Sequence, residues 1–167
     1  MNIRLRPCTP DDQAFLFQLY ADTRLQEVAA FGWNAAQQEA FLRMQFNAQQ
    51  RSYAIAYPEA EHTIILAEVQ SEGQPDAPSD AQPIGRVLVQ HGEDAKTLVD
   101  IALLGSHRGH GIGGKLLRSL IDHSEKESVP VRLQVLRDNP AQHLYERLGF
   151  VQTGEDAMYF QMERRRR

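Results

Sequence analysis

Apolar and polar residues along the first third of the chain predict one strand followed by two helices. Ile3 and Leu5 alternate with arginines, which is typical of a short strand. Residues 9–12 (TPDD) have the form of a helix start, with a capping hydroxyl, a proline at the first position and acids in the first turn. After a break at residues 31–33 (FGW), Asn34 is placed to cap the second helix.

The middle of the chain predicts two antiparallel strands joined by a loop. Residues 63–69 and 84–90 have strand character, while residues 51–61 have no regular period and are interpreted as irregular. Between the strands, residues 71–83 (SEGQPDAPSDAQP) contain three prolines and nothing more apolar than alanine, so we expect a loop there. Residues 92–94 (GED) then form a turn that leads into the next strand.

The C-terminal half is organised around residues 98–117 (LVDIALLGSHRGHGIGGKLL), an apolar run, a glycine-rich loop and the start of an amphipathic helix. Alternation over residues 131–135 predicts the next strand, so this segment forms a right-handed strand–helix–strand unit with parallel strands. A last helix opens at residues 139–140 (NP) and ends at Gly149, and residues 151–163 form a closing hairpin. We expect one domain over residues 1–163 and a solvated basic tail at residues 164–167.

Composition narrows the class of protein. A chain of 167 residues with 42% hydrophobic content can bury a core without crosslinks, and its single cysteine, Cys8, excludes an internal disulfide. The net charge of −4 argues against general affinity for nucleic acid. There is no signal-peptide pattern and no apolar run approaching about 18 residues, so we predict a cytoplasmic protein with no membrane partner.

The glycine-rich loop predicts a binding site for a phosphorylated ligand. A strand, a glycine-rich turn and a helix N-terminus in this order expose backbone N–H groups that can bind an anion. The helix dipole contributes only about 0.3–1 kcal/mol at an exposed end, whereas each backbone hydrogen bond to a charged group contributes roughly 1.5–3 kcal/mol. The amides should therefore dominate, with Arg108 assisting.

Two nucleotide motifs overlap this loop, and both are weak. Gly109, Gly111 and Gly114 satisfy the dinucleotide fingerprint G-x-G-x-x-G, although it lies two-thirds along the chain rather than in a first strand–helix–strand unit. Asp138 lies at a tolerable distance for a ribose contact, which keeps this alternative open. Residues 109–115 also match the first part of the P-loop motif, G-x-x-x-x-G-K. The next residue is Leu116, where the motif requires a magnesium-binding Ser or Thr. The histidines His107, His110 and His143 lack metal-ligand spacing, so no metal site is predicted.

A third interpretation is a family resemblance. Residues 108–113 (RGHGIG) resemble the R/Q-x-x-G-x-G/A segment of the GNAT acetyltransferase superfamily, and residues 139–150 (NPAQHLYERLGF) are similar to its second signature, which ends in L-Y-E-x-x-G-F. One helix and one strand separate the two segments, as in the family. Gly105 stands where the family often has proline, and His107 where it often has an aromatic residue. Neither departure removes a ligand, because the loop acts through its backbone.

The resemblance implies an α/β (α+β) fold with a mixed, mostly antiparallel sheet, a central splayed pair of parallel strands and flanking helices. It also implies acetyl-CoA as the acyl donor, with its pantetheine arm in the opening between the two strands and its pyrophosphate on the glycine loop. The cofactor-binding residues implied in this way are Ile101, Leu103, Arg108, Gly109, His110, Gly111, Ile112, Gly113, Gly114 and Asn139. Asn139 can equally cap the last helix.

The resemblance also implies the chemistry, which is direct attack of an amine on a thioester. It assigns to Tyr145 the donation of a proton to the leaving thiolate; the alternative is a packed aromatic on the last helix. Asp100 is the one charge in an apolar strand, and strand alternation directs it away from Ile101 and Leu103. It is either the base or amine-binding group or a structural ion pair. Glu27, His143 and bulk water are other candidate bases.

The acceptor is not determined by the sequence. Trp33, Gln45 and Tyr53 lie in the half of the chain that varies across the superfamily, and we expect them to line the acceptor pocket; Gln45 can alternatively face water at the helix boundary. The predicted partner is a small-molecule or peptide amine, and a homodimer is suggested by family habit alone. The alternatives to an N-acetyltransferase are a non-catalytic acyl-CoA-binding module and a dinucleotide-binding protein.

Overall fold

The computed structural model describes residues 2–69, 73 and 80–165, and within them seven strands form one sheet. The strands are β1 (Asn2–Pro7), β2 (Glu61–Val69), β3 (Asp80–His91), β4 (Lys96–Leu103), β5 (Val131–Leu136), β6 (Val151–Glu155) and β7 (Tyr159–Arg164). The helices are α1 (Gln13–Ala29), α2 (Ala35–Ala56), α3 (Ile112–Lys126) and α4 (Ala141–Arg147), with 3-10 turns at Pro10–Asp12 and Gly105–His107.

The strand order in the sheet is β1-β2-β3-β4-β5-β7-β6. Neighbouring strands are antiparallel throughout, except that β4 and β5 run parallel on either side of the crossover helix α3. This arrangement confirms the predicted fold class. The closing hairpin β6–β7 places its second strand, and not its first, against β5.

Helices cover both faces of the sheet. In β2 the neighbouring residues Ile64 and Ile65 point to opposite faces, as strand geometry requires. Ile64 packs with Leu16 of α1 and Phe46 of α2, while Ile65 packs with Ile112 of α3. The core on the α3 side also takes in α4, since it contains both Leu117 of α3 and Tyr145 of α4. The sheet therefore separates an α1–α2 layer from an α3–α4 layer.

The predicted helix starts are found where the sequence places them. The Thr9 N–H donates to the Asp12 carboxylate at 2.8 Å, within the 3-10 turn that leads into α1. At the start of α2, the Gln37 N–H donates to Asn34 Oδ1 at 2.8 Å and Gln37 Oε1 accepts from the Asn34 N–H at 3.1 Å. The helical segments that begin after Thr9 and after Asn34 thus each have the reciprocal hydrogen bonds of a capping box at the N-terminus.

Two segments in the middle of the chain differ from the sequence-based prediction. Residues 51–56, predicted to be irregular, continue α2, whose last turns lie over Arg86 and bond to it through Gln49 and Gln50. Strand β3 begins at Asp80, inside the predicted loop, because Pro83 pairs with Leu66 beside a bulge where a proline is tolerated. Residues 70–72 and 74–79 of that loop lie outside the described part.

Arg164, which was expected to begin a solvated basic tail, belongs to the sheet. Arg164 ends β7, and its side chain is 11% exposed. Its Nε donates to the Leu148 carbonyl at 2.8 Å and its Nη1 to Glu125 at 2.9 Å. These bonds join β7 to α3 and α4, so Arg164 is part of the folded structure. Residues 166–167 lie outside the described part.

We expect Asp12→Asn to destabilise the fold by roughly 1.5–3 kcal/mol at neutral pH, since the Asp12 carboxylate accepts two charged hydrogen bonds from Arg6, at 2.8 and 2.7 Å. These bonds hold the pKa of Asp12 well below its usual range. A lowered folded-state pKa gives stability that is present above the unfolded-state pKa and lost as the pH falls. The difference between parent and variant should therefore shrink below about pH 4.

Chemical denaturation at pH 7 and pH 3 measures this difference. Asp11→Asn, a neighbouring change at an exposed residue, is the matched control and should have little effect at either pH. If the parent and Asp12→Asn differed by the same free energy of unfolding at both pH values, the role assigned to the carboxylate would be contradicted.

Candidate active site

The parallel strands β4 and β5 separate midway along their length. They are paired at Lys96–Val131, Thr97–Arg132 and Leu98–Leu133. Beyond Leu98, β4 pairs within the described residues with β3, and β5 beyond Leu133 pairs with β7. An opening is thus formed between the two strands in the middle of the sheet, as the resemblance implied. Its β4 side presents backbone groups that have no strand partner and can bind an extended ligand.

A bulge lies where the two strands begin to separate. The register between β3 and β4 shifts so that Val99 is an extra residue on β4. Ile101 consequently packs on the α3 side together with Leu98. Asp100 lies on the other side and bonds to Arg86. Asp100 and Ile101 therefore point to opposite faces of the sheet, as predicted. Because the bulge adds one residue, Leu98 and Ile101 share the same face although they are three residues apart.

The glycine loop between β4 and α3 has the geometry of an anion cradle. Gly109 and Gly111 have φ angles of 77° and 79°, in the left-handed region that favours glycine, and Gly111 is the N-cap of α3. The first backbone bond into the helix is from the Lys115 N–H to the Gly111 carbonyl, so the amides that precede Lys115 in α3 have no intrahelical acceptor.

Space around the loop fits a bound phosphate group. A Cβ atom built at Gly109, Gly111 or Gly113 would meet no atom within 4 Å, so the groove beside these residues is open. His110 is exposed, whereas Ile112 is buried and packs beneath the loop with Ile65. Gly114 faces the neighbouring helix α4 instead, since a Cβ atom there would lie 3.9 Å from the Leu144 side chain.

Arg108 and Asn139 both have partners within the chain. Arg108 Nε donates to the Leu103 carbonyl at 3.0 Å, and Arg108 Nη2 donates to Asp22 Oδ2 at 3.2 Å. Asn139 Oδ1 accepts from the Ala141 N–H at 2.9 Å, which is the capping role that the sequence allowed. Both residues stand at the edges of the opening, and their contact with a cofactor stays a prediction.

Tyr145 lies in the middle of α4 and is 7% exposed. Its ring packs against Phe150 with centroids 5.8 Å apart, and its hydroxyl has no hydrogen-bond partner among the described residues. Burial, and secondarily the negative charge of Asp100, raises the pKa of Tyr145 to about 12. The hydroxyl is therefore protonated throughout the neutral range and is free to donate a hydrogen bond to a ligand.

Asp100 has an internal partner that the sequence analysis did not identify. Arg86 of β3, 4% exposed, donates to Asp100 Oδ2 from Nε at 2.8 Å. Its other nitrogens donate to Gln50 and Gln49 of α2 at 3.1 and 3.2 Å. A carboxylate held by a buried arginine matches the structural ion pair, one of the two alternatives stated for Asp100. Its role as a base is less favoured by this geometry and stays untested.

The three residues expected in the acceptor pocket do not lie together. Tyr53 packs beneath the Arg86 guanidinium, 5.7 Å from the ring centroid, and burial followed by the charge of Asp100 raises its pKa. Gln45 accepts a hydrogen bond from the Tyr20 hydroxyl at 3.3 Å. Trp33 lies at the other end of α2, and at about 1.5 Å per residue the helix separates it from Tyr53 by about 27 Å.

Trp33 therefore does not share a small-molecule pocket with Tyr53. Its ring packs against those of Phe31 and Phe41, with ring centroids 4.9 and 5.1 Å away, at the connection between α1 and α2. Tyr53 contacts Arg86, which bonds to Asp100 of β4, the strand that borders the opening. Its place in an acceptor pocket stays a prediction.

The described part of the chain contains neither a candidate metal site nor a candidate membrane-spanning helix. No group of three or more His, Cys, Asp or Glu side chains there is arranged to hold a metal ion. None of the helices described is both long enough and apolar enough to cross a membrane.

A splayed pair of parallel strands beside a glycine-lined helix N-terminus defines the class of acyltransferases that bind coenzyme A. The family model of the acetyltransferase (GNAT) domain matches residues 60–152, which is more than half of the chain, and the chain belongs to this family. The family resemblance stated from the two sequence motifs is confirmed.

Individual relatives agree with this assignment. The chain is 39% identical over 70 residues to the [ribosomal protein bS18]-alanine N-acetyltransferase of Haemophilus influenzae, covering 41% of this chain and 48% of the relative. The chain thus spans about half the length of that curated relative.

Among solved structures, the PaiA N-acetyltransferase of Thermoplasma acidophilum in complex with coenzyme A has a TM-score of 0.68 at 18% identity, over 99% of both chains. The ribosomal-protein-S18-alanine N-acetyltransferase of Escherichia coli has a TM-score of 0.59 at 20% identity, over 97% of this chain and 92% of that one. At these identities the likeness shows a shared fold.

Proposed function

We propose that this protein transfers the acetyl group of acetyl-CoA to a primary amine, and that the amine is the terminal α-amino group of a peptide or protein. The observation that carries the proposal is the opening between β4 and β5, since the glycine cradle follows the first of these strands and the helix that carries Tyr145 follows the second. Family membership supplies the donor, since this family uses acetyl-CoA.

Residues of this chain would bind the donor and stabilise the leaving group. When bound, acetyl-CoA supplies a thioester carbonyl that an amine can attack. The amides of residues 109–114 would bind the pyrophosphate, and the backbone of β4 at Ile101 and Leu103, which faces the opening, would hold the pantetheine arm. As the C–N bond forms and the C–S bond breaks, the proton lost by the amine would pass to bulk water. Tyr145 would donate a hydrogen bond to the departing thiolate, which then takes a proton from water. A backbone N–H of β4 would donate to the carbonyl oxygen as it becomes negative.

The charges on the acceptor side favour a substrate with a single amine. A polyamine carries several cationic groups and needs unpaired carboxylates to bind them. Asp100 is already paired with Arg86 at 2.8 Å. The relative from Haemophilus influenzae is named for acetylation of an alanine of a ribosomal protein, which agrees with an acceptor at a chain terminus.

Release of free thiol from acetyl-CoA tests the proposal. We would compare a peptide with a free N-terminal alanine, the same peptide with a blocked N-terminus, and spermidine. Thiol release with the free peptide alone is the expected result. Turnover of spermidine without turnover of any peptide would contradict the proposed acceptor, while coenzyme A binding without turnover of any amine would indicate a non-catalytic binding module.

Acetyl-CoA is expected to raise the melting temperature in metal-free buffer, because a ligand that binds only the native state stabilises it. At 100 times its dissociation constant, the stabilisation should be about 2.7 kcal/mol. Differential scanning fluorimetry with and without EDTA measures the shift, with NAD and ATP as control ligands. An equal or larger shift with NAD would instead favour the dinucleotide alternative.

The cytoplasmic location, the homodimer and the organisation as one domain stay predictions, with Arg164 added to the folded part. Size-exclusion chromatography with light scattering on the full chain tests the homodimer, which should have twice the mass of 19.0 kDa.

A further inference from the structure

Asp22 of α1 contacts the turn that leads from β4 into the glycine loop. Its Oδ2 atom accepts hydrogen bonds from the Gly105 N–H at 2.7 Å and from Arg108 Nη2 at 3.2 Å. Arg108 Nε also donates to the carbonyl of Leu103, the last residue of β4, at 3.0 Å. One carboxylate oxygen therefore joins α1 to both ends of this turn.

The bond to Gly105 depends on the residue at that position. The family often has proline there, and a proline has no N–H to donate. Glycine supplies the N–H, and a Cβ at this position would lie 3.4 Å from Asp22 Oδ2, an ordinary contact distance, so proline is the residue that would remove the bond. The contact is thus a property of this chain rather than of the motif.

The Asp22–Arg108 ion pair is too exposed to be a major source of stability. Arg108 is 49% exposed and Asp22 is 29% exposed, and ion pairs at such positions add little to the free energy of unfolding. Their geometric effect is larger, because Arg108 directly precedes Gly109, the first glycine of the loop with a positive φ. Fixing the turn at Gly105 and Arg108 fixes the entry to the cradle.

We propose that Asp22 is a positioning residue for the anion cradle: it holds the turn before Gly109 so that the loop amides and Arg108 are arranged for a pyrophosphate before it arrives. This inference rests on the proposed function, because it assumes that the loop binds coenzyme A. It adds a residue of α1, on the opposite layer of the fold, to the donor site.

The sign of the effect separates positioning from simple electrostatics. A carboxylate near an anion site repels the anion, so by charge alone Asp22→Ala should tighten the binding of coenzyme A. If Asp22 positions the loop, the same change should weaken binding roughly tenfold, the scale of one lost hydrogen bond to a charged group. Asp22→Asn keeps an oxygen that can accept from Gly105 and should recover most of the affinity.

Titration calorimetry with coenzyme A, on the parent, Asp22→Ala, Asp22→Asn and Gln26→Ala, tests the inference. Gln26 is exposed one turn further along α1 and is the matched control, with no expected change. Pantetheine, which lacks the pyrophosphate, should bind the parent and Asp22→Ala equally well. This equality would be lost if the substitution only disturbed the fold.

Three results would overturn the proposed role of Asp22. They are unchanged or tighter binding of coenzyme A to Asp22→Ala, equal weakening for coenzyme A and pantetheine, and equal losses in Asp22→Ala and Asp22→Asn. Failure of the parent to bind coenzyme A at all is a separate outcome, which would contradict the proposed function itself.

Discussion

Gly111→Val is expected to abolish binding of coenzyme A while the chain still folds. Gly111 is the N-cap of α3 with φ of 79°, a conformation that a β-branched residue adopts only with strain, so the loop must rearrange. Loss of two backbone hydrogen bonds to a charged group corresponds to a fall in affinity of roughly 10²–10⁴-fold. The fold should survive because a Cβ at this position meets no atom within 4 Å.

Two further valine substitutions separate strain from obstruction. Gly32→Val, in the connection between α1 and α2, is the matched control, since Gly32 also has a positive φ of 69° and open space around its Cβ position. It should lower stability as much as Gly111→Val but leave binding unchanged. Gly113 has no positive φ, so Gly113→Val should block the cradle without backbone strain. Calorimetric binding together with thermal melting measures both effects, and normal binding by Gly111→Val and Gly113→Val would mean that these glycines serve packing alone.

Much of the C-terminal half could be predicted because its signals are local. The strand, the glycine loop, the amphipathic helix α3 and the cap at Asn139 each depend on residues close together in the chain. The order β5-β7-β6 and the bulge at Val99 could not be predicted in this way. Both are set by pairing between distant strands, which local periodicity does not encode.

Contacts of Asp100 and Asp22 with distant parts of the chain were the hardest to predict from the sequence. Asp100 stands out in the sequence as a lone charge in an apolar strand, and Arg86 is the single charge of the predicted strand 84–90 before it. Antiparallel strands joined by a short turn bring such residues close together, so the sequence held a signal for the Arg86–Asp100 pair that the sequence analysis missed. The contact of Asp22 with Gly105 leaves no comparable pattern, because a polar residue on a helix usually faces water.

Tyr145→Phe is expected to lower kcat by roughly 10²–10³-fold, the usual loss when one hydrogen-bond donor to a developing negative charge is removed. The ring is retained, so its packing against Phe150 and the stability of α4 should change little. The KM for acetyl-CoA should also change little, because the hydrogen bond to sulfur strengthens only as the thiolate forms. Arg147→Ala, a change at an exposed residue of the same helix, is the matched control for kcat.

The pH dependence of this loss distinguishes two ways in which the hydroxyl can act. The pKa of Tyr145, raised to about 12, exceeds the roughly 8.5 of a thiol, so complete proton transfer to the thiolate is uphill. The hydroxyl should therefore act as a hydrogen-bond donor that stays protonated, and the ratio of parent to variant kcat should be constant from about pH 6 to about pH 9. A ratio that falls toward one across this interval would instead indicate that Tyr145 ionises there. A kcat within about twofold of the parent, measured where chemistry limits the rate, would remove Tyr145 from the mechanism.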